Sequence, residues 1–401
     1  MRKAGLFALV VTLTVSSCAQ PLSEKMVASE IRRCPTAAEL DGRNGELKWN
    51  YTTGLELKSF LDLYIAQGEK DGALLDYVDA WYDAIIAEDG SIGGRYRRES
   101  YNLDYICPAR TLFALYDITG KEKYRAAMDS VYLQICEQPR SFVDLDGYET
   151  GVFWHKKGYP NQQWLDGLYM ALPFYAEYNL RYIRSQTEKD VNFDDIANQF
   201  RVAYAHCYDP QTRLLRHAWD TSRQMFWCDP VTGQSAHAWG RAMGWYLMAL
   251  VDVLDFVPEE HPGRQHLLEI LDKLLSVLPE YADNATGMWY QVLDCPGREG
   301  NYIESTCSAM FTYAYLKASQ KGYAPQYKDY ALELYRKLVD TFIKNGRKGT
   351  ISLTRCCAVA GLGGDQMRKG DYDYYISERI CDNDPKGVGP FVWASLLYEN
   401  R

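Results

Sequence analysis

From residue 51 onward the apolar positions recur with a helical period. Leu55, Phe60, Leu61 and Tyr64 open the series, and Leu74 to Ile86 follow after a break at Gly68–Gly72. The same period predicts helices over 101–117 and 121–136, with Thr119-Gly120 as the turn between them. Further helical stretches are predicted over 165–183, 192–206, 239–256, 264–281, 302–320, 326–343 and 389–399. Strand-like alternation is confined to short pieces near Gly147–Trp154 and Lys348–Leu353. Helices joined by short turns pack as antiparallel pairs, and about eleven of them in one chain predict a closed ring of hairpins. Residues 165–178 and 239–251 are apolar nearly all round, as expected of an inner ring covered by an outer one. An open solenoid would show a fixed-period repeat, and none is present. The predicted fold is therefore all-α, a toroid with a hole for a ligand on one face.

Composition agrees with one compact body. Of 401 residues, 47% are hydrophobic and 24% charged, which excludes a disordered or collagen-like chain. The aromatic load is heavy, with 13 Phe, 10 Trp and 32 Tyr. Tyr and Trp join apolar area to a polar tip, which suits a wet, sugar-sized cleft as well as a core. Net charge is −9, with no basic run and no interleaved Arg/aromatic stripe, so nucleic acid is not an expected partner.

The first residues read as an address. Arg2 and Lys3 precede an apolar run from Ala4 to Val15, then Ser16-Ser17-Cys18. A positive start, a short apolar segment and small residues make a secretory signal, too short for a membrane-spanning helix. Val15-Ser-Ser-Cys18 resembles a bacterial lipobox, which implies cleavage before Cys18 and a lipid on its thiol. The expected layout is a signal at 1–17, a tether at 18–43 and one catalytic domain at 44–401. The protein is then a periplasmic lipoprotein, anchored at the outer membrane and touching a membrane only through its lipid. Ten further cysteines would enter an oxidising compartment, where one or two disulfides are permitted but not assigned. Cys107, Cys136 and Cys307 fall inside helical patterns and read as small buried hydrophobes. No Cys/His spacing resembles a zinc site.

Candidate chemistry concentrates in three stretches. In Asn161-Gln-Gln-Trp164-Leu-Asp166-Gly-Leu-Tyr-Met170, one acid opens an otherwise apolar helix. A helix cap is its ordinary explanation. The setting points further, because Trp164, Met170 and the preceding His155-Lys156-Lys157 surround one carboxyl. A carboxyl packed against an indole loses hydration of its ionised form, an environment that suits a general acid. The second stretch holds His217-Ala-Trp-Asp220 and Trp239-Gly-Arg241-Ala-Met-Gly-Trp245. An Arg beside Trp residues fits a sugar acid, the guanidinium taking the carboxylate while the rings stack on the sugar. A buried ion pair is the structural alternative for Arg241, and a hydrogen-bonded core position that for His217. The third, Tyr101-Asn-Leu-Asp104, supplies a second acid with capping as its default. Asp144 and Asp146 read as loop acids. No phosphate-binding glycine loop, Gly-x-Ser-x-Gly elbow or His-Glu-x-x-His helix occurs, which argues against nucleotide, serine-esterase and zinc-hydrolase chemistry.

These blocks resemble glycoside hydrolase family 105, the unsaturated rhamnogalacturonyl hydrolases, related to the unsaturated glucuronyl hydrolases of family 88. Trp164–Met170 with Pro173-Phe-Tyr175, Trp239–Trp245, Asn301-Tyr-Ile-Glu-Ser305 and Asn383–Pro390 fall in the family's order across roughly residues 49–399. The resemblance implies an (α/α)6 barrel, no metal or organic cofactor, and a substrate made by a polysaccharide lyase: a short oligosaccharide ending in a 4,5-unsaturated uronyl residue. It implies Asp166 as the acid that protonates C4 and then accepts a proton from the water added at C5, with Asp104 as the second acid. It implies a sugar subsite of His155, Lys156, Trp164, Met170, His217, Trp239, Arg241 and Trp245, with Tyr51 at its edge. Two positions depart from the family pattern: Ala218 stands where glycine is common, and Cys107-Pro108-Ala109 where Asn-Pro-Gly is.

Three alternatives stay open from sequence. The uronyl could be glucuronyl on galactose instead of galacturonyl on rhamnose, since loop residues read that difference. A sugar-binding lipoprotein would use the Trp residues and Arg241 without turnover. A lyase on a similar toroid would create the double bond instead of consuming it.

Overall fold

Each predicted amphipathic stretch becomes one helix of a two-layered ring in the computed structural model, which describes residues 20–41 and 45–400. In chain order the helices are α1 (Leu22–Arg33), α2 (Tyr51–Ala66), α3 (Gly72–Ile85), α4 (Arg110–Thr119) and α5 (Glu122–Cys136). Then come α6 (Leu165–Tyr182), α7 (Gln186–Cys207), α8 (Gly240–Val253) and α9 (Pro262–Val277). The series ends with α10 (Ser305–Gln320), α11 (Lys328–Phe342), the short α12 (Tyr372–Ser377) and α13 (Pro385–Glu399). The inner ring is α2, α4, α6, α8, α10 and α13: α13 packs on α10 and on α2, α8 on α6 and α10. Phe113 of α4 meets Phe174 of α6 at 5.2 Å between ring centroids, which closes that gap. Outside them α3 lies on α2, α5 on α4, α7 on α6, α9 on α8, α11 on α10 and α1 on α13. This is the predicted six-hairpin barrel.

Inner helices are apolar all round because both faces are covered. Every residue of α8 is buried, as is almost all of α10. Close approach is built into the sequence at two glycines of α8. A Cβ on Gly244 would lie 2.5 Å from Met310 Sδ, and one on Gly240 would lie 2.9 Å from Cys307 Sγ, both on α10.

Local sequence also sets the helix ends. Asn50, Asp71, Ser185 and Asp384 accept hydrogen bonds from the first free N–H groups of α2, α3, α7 and α13. Gly120 ends α4 in the left-handed conformation, with φ of 65°. Inner-to-outer connections are short (67–71, 120–121, 183–185). Outer-to-inner ones are long and carry all the strand pairs, Arg140–Leu145 with Tyr148–Phe153 being the longest. The long connections and the N-terminal ends of the inner helices therefore share one mouth. No helix among the described residues is long and apolar enough to cross a membrane.

Three expectations are corrected. Residues 22–33 are not a tether: α1 supplies the sixth outer helix, with Met26, Val27, Ser29 and Glu30 buried. It is tied down by Ser23 on Glu399 and by the Ile351 N–H on Ser29 Oγ at 2.9 Å. Its apolar face is short and mixed with Ser and Glu, which hid it. The helix predicted from 101 begins only at Arg110, after 3-10 turns at Leu103–Tyr105 and Cys107–Ala109, where Pro108 lacks the N–H a helix interior needs. Cys136, at the end of α5, is exposed, and all ten described cysteines are free thiols. Cys18 and the leader lie outside the described residues.

Candidate active site

Every sequence-selected residue but Met170 and Trp245 lies at the mouth, because each precedes or opens an inner helix. Asp166 is the second residue of α6. Trp164 at the N-cap position makes no side-chain cap, and among the described residues the Asp166 carboxyl bonds none of the helix's N–H groups. Its Oδ2 instead meets His217 Nε2 at 3.0 Å, while Oδ1 has no hydrogen-bond partner among the described residues. His217 is brought there by a two-strand pairing in which Trp164 faces Ala218 in register, and the Leu165 N–H bonds the His217 carbonyl. The Ala218 methyl is fully buried in a small cluster with Trp164, Trp227 and Leu362, so it fills a wall and not the opening.

The indole of Trp164 organises this side. His155 stacks on it at 4.8 Å and Tyr159 at 5.3 Å, and His217 meets its edge. Gly167 permits this arrangement, since a Cβ there would come within 2.9 Å of His155 Nδ1. His155 Nε2 in turn lies 3.5 Å from Asp104 Oδ1. Burial alone would raise the Asp104 pKa. The His155 imidazole and the Lys156 ammonium outweigh it and hold the carboxyl below its usual range. The two acids are thus differently equipped: Asp104 is held as a carboxylate by the His155 imidazole and the Lys156 ammonium, and Asp166 is held by one imidazole.

Arg241, the second residue of α8, is buried at 2% exposure and donates to the Cys357 carbonyl at 2.5 Å. Its guanidinium lies over the Trp239 ring, 4.6 Å from the centroid. No carboxylate among the described residues lies at salt-bridge distance from it, and Asp384 and Glu304 act on it only from farther off, which sets aside a direct structural ion pair. Tyr51, at the start of α2, ties the halves together. Burial pushes its phenol well above the ordinary range, and Arg241, Asp104, Asp166 and Asp384 are all near enough to act on it. Tyr51 and Asp104 line a cavity of about 630 Å³ together with Arg379 and Lys386. Trp245 lies lower, stacked on Tyr169 at 4.8 Å with Tyr51 at its edge, and Met170 is buried in the main core. Both support the site from beneath.

Sequence reasoning missed Tyr375, whose hydroxyl lies 2.7 Å from His217 Nδ1. It also missed the task of Glu304, which caps α10 through the Cys307 N–H at 2.7 Å and holds the Cys357 N–H at 2.8 Å, fixing the carbonyl that Arg241 uses. His237, Asp294 and Cys295 bring ligand atoms within 4.8 Å of one another. Asp294 Oδ2 is already taken by Arg216 at 2.8 Å, and a guanidinium on a carboxylate competes with any cation.

Paired carboxyl and imidazole groups, a guanidinium with no carboxylate partner and stacked indoles at one mouth equip the toroid for acid–base chemistry on an anionic sugar. The model of Glycosyl Hydrolase Family 88 matches residues 22–401, and the chain belongs to that family. Its fold superposes on a family 105 glycoside hydrolase from C. acetobutylicum with a TM-score of 0.87 and 41% identity, over 95% of this chain and all of that one. A protein of Agrobacterium fabrum, Protein Atu3128, is 37% identical over 232 residues, covering 56% of this chain and 96% of its own length. The unsaturated glucuronyl hydrolase of Bacillus sp. GL1 shares the fold, with a TM-score of 0.61 at 14% identity over 93% and 96% of the two chains. The chain is a glycoside hydrolase of the family 88 and 105 type.

Proposed function

We propose that this glycoside hydrolase removes the 4,5-unsaturated uronyl residue from the non-reducing end of lyase-made rhamnogalacturonan oligosaccharides. The observation that carries this reading is Asp166, held through one oxygen by His217 and leaving the other free at a mouth that also holds Arg241. Arg241 would take the uronyl carboxylate, and Trp164 and Trp239 the sugar faces. The Asp166 carboxyl gives its proton to C4 of the enol ether, leaving a cation shared by C5 and the ring oxygen. Water bonds to C5 and returns a proton to the carboxylate. The hemiketal then opens to a C5 ketone, and C1, now a hemiacetal, releases the leaving sugar as its alcohol. One carboxyl acts as acid and then as base. Because no bond to C1 is attacked directly, carboxylate separation carries no stereochemical message here.

The unsaturated uronyl group absorbs in the ultraviolet, so its loss is the direct test. Galacturonyl-rhamnose and glucuronyl-galactose disaccharides should be run side by side, with Asp166→Asn as control. The expected result is loss of absorbance on the rhamnose type, slowed in the variant by at least ~10²–10⁴-fold. Loss only on the galactose type would move the substrate to glucuronyl fragments. A variant within tenfold of wild type, or a rise in absorbance, would overturn the assignment. The leader adds a location to the proposal, a lipid on Cys18 holding the enzyme in the periplasm. Mass analysis of the mature N-terminal peptide tests it, and an unmodified Cys18 would remove the anchor.

A further inference from the structure

Tyr375 stands in the last long connection, on α12, capped by Asp371 through the Tyr374 N–H at 2.9 Å. It is fully buried, and its ring stacks on Trp239 at 5.9 Å. The only hydrogen-bond partner of its hydroxyl among the described residues is His217 Nδ1, at 2.7 Å. His217 is itself fully buried between Trp164 and Trp239, with its other nitrogen on Asp166. The three residues form a line, phenol to imidazole to carboxyl, closed at one end and open at the other.

A neutral phenol and a neutral imidazole have one proton each to place on this line. If His217 carries its proton on Nδ1, that N–H points at the phenol oxygen, and the phenol's own proton is left buried without an acceptor. If the phenol donates to Nδ1, His217 carries its proton on Nε2 and donates to Asp166 Oδ2. The second arrangement satisfies every donor, and a buried unmatched O–H is what folded proteins avoid. Burial pushes the Tyr375 phenol well above its ordinary range, so it keeps its proton.

We infer that Tyr375 is a positioning residue, fixing His217 as the Nε2–H tautomer so that the transferable proton of Asp166 resides on Oδ1. This deepens the hydration chemistry proposed above and rests on it. With Oδ2 occupied as an acceptor, the acidic proton belongs to the oxygen that has no hydrogen-bond partner among the described residues. Without the phenol, Nε2 is free to accept from Asp166, and the proton is drawn between carboxyl and imidazole, away from C4. The imidazole is then also free to take up a second proton, and as a cation it holds Asp166 in the carboxylate form. Besides Asp166 on α6, the titratable groups near enough to act on the phenol are Tyr374 beside it on α12, Asp294 in the connection before α10 and Cys357. Tyr51, with Arg241 beside it, faces Asp166 at the open end. None of these but Asp166 bonds His217.

The test is Tyr375→Phe in the full chain, with Tyr374→Phe as its neighbour control. Tyr374 accepts the Gly361 N–H at 2.9 Å and does not touch His217. Tyr375→Phe should lower kcat about tenfold to a hundredfold while KM stays within about twofold, the loss of one well-placed hydrogen bond. Its pH–rate profile should fall at a lower pH than that of wild type. Tyr374→Phe should match wild type in both. Nitrogen-15 spectra of the imidazoles give a readout independent of turnover. Wild type should show His217 as the Nε2–H tautomer, and Tyr375→Phe should lose that signature. A wild-type Nδ1–H tautomer, or an unchanged kcat and pH profile in Tyr375→Phe, would overturn the inference. Absent turnover of any unsaturated uronide by wild type would instead overturn the function, leaving the tautomer measurement standing.

Discussion

Two clusters of charge lie among the inner helices of the same ring, one buried and closed, the other partly exposed and open. Toward the C-terminal ends of α8 and α10, Asp252 accepts from Tyr313 at 2.6 Å and Lys317 at 2.7 Å on one oxygen, and from Arg110 at 2.9 Å on the other. Lys317 also pairs with Asp255 at 2.7 Å, and the Arg110 guanidinium lies 5.1 Å from the centre of the Tyr169 ring. At the mouth, Asp166 has one oxygen on His217 and one with no hydrogen-bond partner among the described residues, and no carboxylate among them forms a salt bridge with Arg241. Asp252 is buried, with 4% of its side chain exposed, whereas Asp166 keeps 15% of its own exposed. A carboxylate with both oxygens held by buried cations and a phenol can only hold structure, whereas one with an open oxygen can still exchange a proton with a ligand.

Breaking the closed cluster should give the largest effect on stability. Asp252→Asn leaves Lys317 and Arg110 buried with half their partner, which typically costs about 3–5 kcal/mol. Urea unfolding should show that loss, while the folded fraction turns over substrate at the wild-type kcat. A fall in kcat with unchanged stability would mean the deep cluster takes part in chemistry. The same carboxyl predicts an acid limit. Burial would raise its pKa, but Lys317 and Arg110 hold it at about 2 in the folded protein, below the ~3.9 of an unfolded chain. The sign follows from linkage: this stabilisation is whole above the unfolded value and is lost as pH falls through the folded one. Wild type should therefore lose stability between those two values, and Asp252→Asn should lack that step.

Much of this division was legible in the chain, and the illegible part has a physical reason. The all-round apolar runs 165–178 and 239–251 became α6 and α8 of the inner ring, because a helix covered on both faces has no polar stripe to show. Asp166 and Arg241 stood out because each interrupts such a run, and an isolated polar group in apolar surroundings needs a reason. His217 stood out only as a lone histidine near Trp219 in a block shared with a known family. Tyr375 gave no signal. It sits among Tyr372, Tyr374 and other aromatics of ordinary appearance, and its partner is 158 residues away. The same holds for α1, whose contacts are with α13 and the strand at Ile351–Leu353 at the far end of the chain. Local periodicity reports what an element buries, not which distant residue it meets.

The guanidinium at the mouth sharpens the comparison next. Arg241→Ala breaks no salt bridge among the described residues, Asp384 and Glu304 acting on it only from farther off, so the fold should lose less than it does at Asp252. The substrate carboxylate loses a charge-assisted partner instead, about 1.5–3 kcal/mol, or roughly tenfold to a hundredfold in KM. Steady-state kinetics on the unsaturated disaccharide and on a methyl-ester derivative should converge for the variant and differ for wild type. Equal KM values for wild type on acid and ester would place Arg241 outside the uronyl subsite.

The smallest expected effects separate mouth from wall with one substitution made twice. Gly244→Ala sets a methyl against Met310 in the α8–α10 contact, and Gly167→Ala sets one against His155 and Leu103 beside Asp166. Overpacking of this kind typically costs about 1–3 kcal/mol, and alanine returns about 1 kcal/mol of helix propensity in each case. Both variants should therefore stay folded, with modest and similar losses in thermal stability. At Gly244 the strain falls on side chains that only fill space, so kcat/KM should hold. At Gly167 the group in the way is the imidazole that stacks on Trp164 and faces Asp104. Its displacement by a few tenths of an ångström should lower kcat/KM about tenfold, because catalytic groups tolerate little misplacement. Equal activity in the two variants would show that His155 has room to move and that the mouth is looser than its stacking implies.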